Sequence, residues 1–379
     1  MKRTVAALLF TLLAAAPLAA QGLRITTAGP NGEVATLEEA NEIRVNFSEP
    51  MVTLGKIPTP VTAPFFKITP AVKGAFRWSG TTMLIFTPSS PLPFETKYDV
   101  TIDRSAKSIS GKTLDAPFTF SFTTPTIRLT STDWYRKGGN VANGIVIALR
   151  FNQPVSAETI LTHLQLRTTP HDFQQPEIPA AGTERLKRVE PQALQAFEAK
   201  RAKAEAQTKS SGSPIFVFAA TDWDKERFVP SPDLVVLETK PGVPPDTAMQ
   251  VLLDEKLGTR MGTGRTQSYT IEVEPTLFAS VDCIENCNPD SRNAIRFRSQ
   301  AGVKFERIVK AVTVTDITDP AKEVVVKPKP PQDQDYDYPS QQYSLDELGY
   351  SLLPKHTYVI RIDPSLESED RQKLGYAYM

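Results

Sequence analysis

The sequence predicts an all-β protein of tandem immunoglobulin-like β-sandwich domains, with a helical insertion in the second. Three observations predict it: a long internal repeat, period-two strands between turn signals, and a high proline content. Residues 83–111 (MLIFTPSSPLPFETKYDVTIDRSAKSISG) align without a gap with residues 234–262 (LVVLETKPGVPPDTAMQVLLDEKLGTRMG) at a constant offset of 151. Leu84, Phe86, Pro93, Thr96, Val100, Ile102, Asp103 and Gly111 fall on Val235, Leu237, Pro244, Thr247, Val251, Leu253, Asp254 and Gly262. A shorter third copy, LLPKHTYVIRID, puts Tyr358, Ile360, Ile362 and Asp363 where Tyr98, Val100, Ile102 and Asp103 stand. A unit of this length exceeds a solenoid repeat and marks whole domains in tandem. Each copy reads as strand, proline-containing turn, strand. The 32 prolines suit turn-rich β domains better than helical bundles.

Residues 1–20 read as a secretory signal peptide. Lys2 and Arg3 form a basic start, Val5 to Ala16 an apolar segment, and Leu18-Ala19-Ala20 a small-residue cleavage site. The segment is too short and wrongly flanked for a spanning helix, a retained anchor being the alternative. No cysteine lies near the cleavage site, which disfavours lipid attachment, and no later stretch is long and apolar enough to span a bilayer. The expected mature chain is soluble and exported, periplasmic or secreted, and its length suits two to four domains. The 43 basic and 43 acidic residues cancel, which argues against nucleic acid or an anionic membrane as partner. With only two cysteines, the domains must rest on apolar cores.

The first sandwich is expected over 21–125. Ile43-Arg44-Val45-Asn46-Phe47 alternates apolar and polar residues, and Ser48-Glu49-Pro50 ends it. Residues 76–78, 83–86, 98–102 and 118–122 supply further strands, with Thr101, Thr119 and Ser121 on the polar face. The second sandwich is expected over 126–275. Its strand 147–155 (IALRFNQPV) repeats 43–51 (IRVNFSEPM) at an offset of 104, so 47 extra residues precede the later repeat. They hold the helical insertion, near 184–210. Residues 191–207 (PQALQAFEAKRAKAEAQ) are good helix formers, Pro191 suits a first turn, and Lys209-Ser210-Ser211-Gly212-Ser213 ends the run. Its apolar face is little more than Leu194, Phe197 and alanines, so it reads as a mostly solvated helix. A partner-binding or protease-sensing element is the sharper alternative. The third sandwich is expected over 276–379, with strands at 294–297 and 308–314 and a polar loop over 327–342. Residues 118–122 and 269–273 close the first two sandwiches, and nothing equivalent follows Gly375. The third is therefore expected to be truncated at its last strand, as a fragment of a longer polypeptide or a form completed by another chain.

No catalytic, cofactor or metal site is legible. His163, His171 and His356 form no metal-ligand spacing and read as packing or turn residues. P-loop, dinucleotide fingerprint and nucleophile elbow are all absent, and the acidic residues suggest no dyad by sequence. In an oxidising compartment Cys283 and Cys287 can close a small loop as a disulfide, the primary reading. A redox-active pair normally uses a two-residue spacer at a helix start. Cys283-Ile284-Glu285-Asn286 also imitates the Cys-x-Glu-Gln element of internal thioesters, but Asn286 is one carbon short of Gln. The chain is expected not to be an enzyme.

The repeat residues themselves carry a resemblance. Residues 43–51 (IRVNFSEPM), 66–70 (FKITP), 74–78 (GAFRW), 84–88 (LIFTP) and 92–100 (LPFETKYDV) resemble the N-terminal region of bacterial alpha-2-macroglobulins. The first domain also resembles bacterial Ig-like modules of surface-layer and secreted proteins. The likeness covers most of 23–275 and loosely the rest. It implies macroglobulin-type sandwiches and a periplasmic or secreted protease trap. In such traps β domains surround a bait region and, in many members, a helical thioester domain, and bait cleavage triggers collapse around the protease. Bait and thioester regions do not match here, so no functional residue of the family transfers. Lipid-attached members carry a cysteine after the signal peptide, where this chain has Gln21. The expected function is the N-terminal scaffold of an exported macroglobulin-like protease inhibitor. Its expected partners are target proteases, met through regions outside this sequence, and other periplasmic or envelope proteins. The alternative is a stand-alone exported Ig-like array for adhesion, surface anchoring or assembly.

Overall fold

The computed structural model describes residues 22–258, 264–282, 294–329 and 338–379. Residues 1–20, expected as a signal peptide, and the Cys283–Cys287 pair lie outside the described residues. The chain is mostly β and divides into two compact units, one up to Thr126 and one from Ile127 onward.

The first unit is one sandwich. Its strands are β1 (Ile25–Gly29), β2 (Gly32–Glu33), β3 (Ile43–Phe47), β4 (Phe66–Thr69), β5 (Gly74–Ser79), β6 (Met83–Pro88), β7 (Lys97–Ile102) and β8 (Phe118–Thr123). They form two sheets, ordered β1-β3-β6-β5 and β2-β8-β7-β4. The pleat explains the pattern in the sequence: Ile43, Val45 and Phe47 are buried with Arg44 exposed, and Tyr98, Val100 and Ile102 are buried with Asp99 exposed. Phe66, Phe76 and Phe86 cluster at centroid distances of 5.0 to 5.5 Å. A Cβ at Gly74 would overlap the Phe86 ring, so this approach requires glycine.

The second unit holds two further sandwiches. The first of them comprises β9 (Leu129–Arg136), β10 (Ile145–Phe151), α1 (Ala157–His163), β11 (Leu164–Thr169), α2 (Ala180–Val189), α3 (Pro191–Thr208), β12 (Val217–Ala219), β13 (Leu234–Thr239), β14 (Ala248–Leu253) and β15 (Gln267–Glu272). Its sheets are β12-β13-β10-β9 and β11-β14-β15. The other comprises β16 (Phe278–Val281), β17 (Ala294–Arg298), α4 (Phe305–Ala311), β18 (Val312–Asp316), β19 (Val324–Val326), β20 (Gln342–Ser344) and β21 (Tyr358–Ile362). Its sheets are β16-β17-β20 and β19-β18-β21.

The repeat in the sequence is a repeat of strand register. Ile43 faces Phe86 and Val45 faces Leu84, as Ile147 faces Leu237 and Leu149 faces Val235. In the opposite sheets Ile68 faces Val100, Leu166 faces Val251 and Val314 faces Ile360. A one-residue slip would turn every inward side chain outward, so the buried faces hold this register.

Two expectations need correction. Residues 308–314, read as one strand, divide into the end of α4 and the start of β18. Phe305, Ile308 and Ala311 bury one helical face, and a short apolar run does not reveal its period. The second sandwich uses the same device, α1 running into β11, with Ser156 Oγ accepting the Thr159 N–H at 3.1 Å as its cap. The insertion expected as one helix is a hairpin of two, α2 and α3, placed between β11 and β12. In the first sandwich the equivalent connection, from β4 to β5, is four residues long.

Candidate functional site: the clasped junction of the last two sandwiches

The hairpin α2–α3 belongs by sequence to the second sandwich and by packing to the third. Leu186, Phe197 and Ala204 are buried in one apolar core with Leu277, Phe278, Ile295, Val314, Ile362, Tyr376 and Tyr378. This corrects the expectation of a solvated helix. Phe197 meets Phe278 and Tyr376 edge-on, at centroid distances of 6.1 and 5.0 Å. Pro191 opens α3, where a missing N–H costs nothing.

Three polar contacts fasten the hairpin. Arg185 on α2 grips Glu323 through two bonds of 2.9 and 2.7 Å. Glu190, between the helices, accepts Arg361 Nε at 2.7 Å and Nη2 at 3.1 Å. Lys200 on α3 lies over the rings of Phe278 and Tyr376 and donates to the carbonyls of Lys373 and Leu374, both at 2.8 Å. Burial there pushes its amine down to about 8, against the opposing pull of the Asp246 charge. A Cβ at Gly182 would overlap the Met379 carbonyl oxygen, so α2 also approaches the chain there through a glycine.

Beneath the hairpin the two sandwiches share a buried polar layer. Arg136 and Glu274 pair with both side chains under 5% exposed, Nη2 to Oε1 at 2.7 Å and Nε to both carboxylate oxygens at 3.0 and 3.1 Å. Arg136 also donates to the carbonyls of Asn143 and Val243. Asp246 is 2% exposed and accepts Arg298 Nη2 at 2.6 Å and the Thr276 N–H at 3.1 Å. Gln372 accepts the Leu277 N–H and donates to the Pro275 carbonyl, both at 3.0 Å. Buried groups of this kind are tolerable because each is bonded.

A second device closes the edge of β16. The N–H groups of Ala279 and Val281 donate to the hydroxyls of Tyr376 and Tyr378, each at 3.1 Å. Burial raises both phenols, Tyr378 up to about 12 and Tyr376 further. Two side chains thus satisfy a backbone edge that would otherwise need a strand.

The histidines are not brought to one place. His163 Nδ1 meets Asp254 at 2.9 Å, and His356 Nδ1 meets Asp316 at 2.5 Å. Bonds from Thr318 and then from His356 lower the Asp316 carboxyl to about 2. His171 Nε2 contacts the Asp246 carbonyl at 2.9 Å, within the second sandwich. Among the described residues no group of three His, Cys, Asp or Glu side chains could hold a metal, and no helix is long and apolar enough to cross a membrane. The arrangement joins two sandwiches through a clasp and a polar layer.

Residues 20–124 match the model of the bacterial Ig-like domain family. No curated protein matches the chain. Among solved structures it is similar to native alpha-2-macroglobulin from Escherichia coli spanning domains MG0-NIE-MG1, at 13% identity over 90% of each chain, with a TM-score of 0.24. It is similar to surface layer protein SbsC, domains 1–6, at 12% identity over 90% of this chain and 54% of that one, with a TM-score of 0.20. It is also similar to an L,D-transpeptidase from Mycobacterium tuberculosis H37Rv, at 13% identity over 42% of this chain and 70% of that one, with a TM-score of 0.20. The family match covers the first sandwich, and the chain as a whole has the fold of tandem Ig-like sandwiches.

Proposed function

We propose that this chain is the N-terminal scaffold portion of an exported bacterial macroglobulin-like protease trap, with no catalytic role of its own. The observation that carries the reading is the clasp. A hairpin inserted in one sandwich and buried in the core of the next holds two Ig-like domains as a single compact unit. A scaffold that must keep an array in a set geometry while another segment is cut needs such coupling. The resemblance of residues 43–51, 84–88 and 92–100 supports the family, and the signal-like residues 1–20 support export. The test is the encoding gene downstream of the Met379 codon. An open frame continuing into further β domains and a bait segment is expected; a stop codon directly after Met379 would sink the reading.

The match of residues 20–124 to a bacterial Ig-like model favours a second reading, a stand-alone exported array for adhesion, anchoring or assembly. It expects the purified chain to be retained on isolated envelope fractions and to leave proteases unaffected.

A further inference from the structure

The strand β19 is the outermost of its sheet: it pairs with β18 on one side and, among the described residues, with no strand on the other. The register shows which of its backbone groups are already used. The Ile317 N–H donates to the Thr357 carbonyl and the Asp363 N–H to the Ala311 carbonyl, at the two ends of the β18–β21 ladder. Bonded pairs recur at every second residue of an antiparallel ladder, so Thr313 and Thr315 turn their backbone groups to β21. Val314 and Asp316 turn theirs to β19, where Val326 and Val324 stand opposite. The N–H and C=O of Val325 are thus aimed out of the sheet. Among the described residues no partner meets the backbone of Glu323, Val325 or Lys327.

The sequence along this edge is its own complement. When Glu323-Val324-Val325-Val326-Lys327 is laid antiparallel to a second copy and centred on Val325, Glu323 stands opposite Lys327 at both ends. Val324 then stands opposite Val326, and Val325 opposite Val325. Val324 and Val325 are 49% and 60% exposed, so the apolar part of the edge is uncovered. Arg185 holds the Glu323 carboxylate with two bonds, yet 43% of the Glu323 side chain stays exposed, free to accept from a further cation. Lys327 precedes Pro328, which favours extended backbone at the lysine, and Pro328 has no N–H with which to carry the pairing on.

We propose that β19 is a self-association edge, through which two copies of this chain pair antiparallel about a two-fold axis at Val325. Bonded rungs form at Val325 and between Glu323 of each copy and Lys327 of the other. Valine meets valine in between, and opposite charges meet at both ends, the pairings that favour neighbouring strands. An isologous contact of this kind uses up the edge on both copies, so it closes as a dimer and does not grow into a fibre. The paired stretch is short, which makes the dimer a weak one. The inference does not rest on the protease-trap reading and survives its failure.

Sedimentation equilibrium of the whole chain, over a concentration series reaching the millimolar range, tests it. A monomer–dimer equilibrium is expected. Lys327→Glu changes an exposed side chain and sets like charges opposite each other at both ends, so it should weaken the dimer at least tenfold. The register has its own readout. Cα atoms of a bonded antiparallel pair lie about 5.5 Å apart, within disulfide reach. On mild oxidation Val325→Cys should give a 325–325 link between copies, identified by mass spectrometry of the digest. Val324→Cys, which faces Val326 of the other copy, should give its own link at least tenfold less. A chain that stays monomeric throughout, a dimer that Lys327→Glu leaves equally tight, or linking at 325 no greater than at 324 would each overturn the proposal.

Discussion

Asp103, Asp254 and Asp363 occupy one position of the repeat, and each serves a local turn. Their carboxylates accept the N–H two residues on, from Ser105 at 2.9 Å, Lys256 at 2.8 Å and Ser365 at 3.0 Å. Repetition of an acid therefore marks backbone geometry here. A second repeated position is visible only in the backbone: Glu95, Asp246 and Lys355 have φ of 55°, 59° and 61°. The left-handed region costs a non-glycine residue about 1 kcal/mol or more. Lys355 is exposed, so Lys355→Gly should stabilise by about 0.5–1 kcal/mol in a urea titration. Asp246→Gly should do the reverse. It relieves the same backbone strain but strips Arg298 and the Thr276 N–H of their acceptor, for a net loss of about 3 kcal/mol. Equal effects at the two sites would show that backbone strain, not the buried carboxylate, dominates at Asp246.

At the scale of elements, the strands were legible and the helical hairpin's destination was not. Strand identity came from period-two alternation, which burial enforces along β3 and β7, whereas β10 is buried on both faces. The inward stripe of α3 is Ala193, Ala196, Phe197, Lys200 and Ala204, with the lysine in the middle of it. A lysine and three alanines read as a solvated face, yet the lysine stem lies along aromatic rings and its head finds carbonyls. Phe197→Ala should therefore cost about 3–5 kcal/mol, a core value, and expose Arg201 and Lys203 to trypsin. A loss below 1 kcal/mol would return α3 to the surface. The lysine also predicts a pH dependence. Its folded value of about 8 lies below the ordinary 10.5, so the unfolded chain binds the extra proton between those values and stability rises with pH across them. Tyr376 and Tyr378 act oppositely. Their folded values are raised above 10, so their contribution is whole below pH 10 and is lost as pH climbs toward 12. Urea midpoints should climb from pH 8 toward 10 and then fall, and Lys200→Met should abolish the climb and keep the fall.

At the scale of the molecule, the repeat announced three sandwiches but not that the last two act together. That coupling is carried by single residues such as Lys200, Arg298 and Gln372, which occur once each in their roles, so no periodicity could flag them. The buried pair is the strongest handle. Arg136→Met leaves the Glu274 carboxylate in a site under 5% exposed without its cation, a cost of about 3–5 kcal/mol. The pair lies within the second sandwich, but the Asp246–Arg298 bond, the Gln372–Pro275 bond and the clasp cross to the third, so the loss should not stay in the second sandwich. Hydrogen exchange in the unaltered chain should give one opening free energy for the slowest amides of β10 and of β18. Arg136→Met should lower both by the same amount. Separate values in the unaltered chain, or a drop confined to β10, would mean that the sandwiches unfold independently and that the hairpin merely rests on its neighbour.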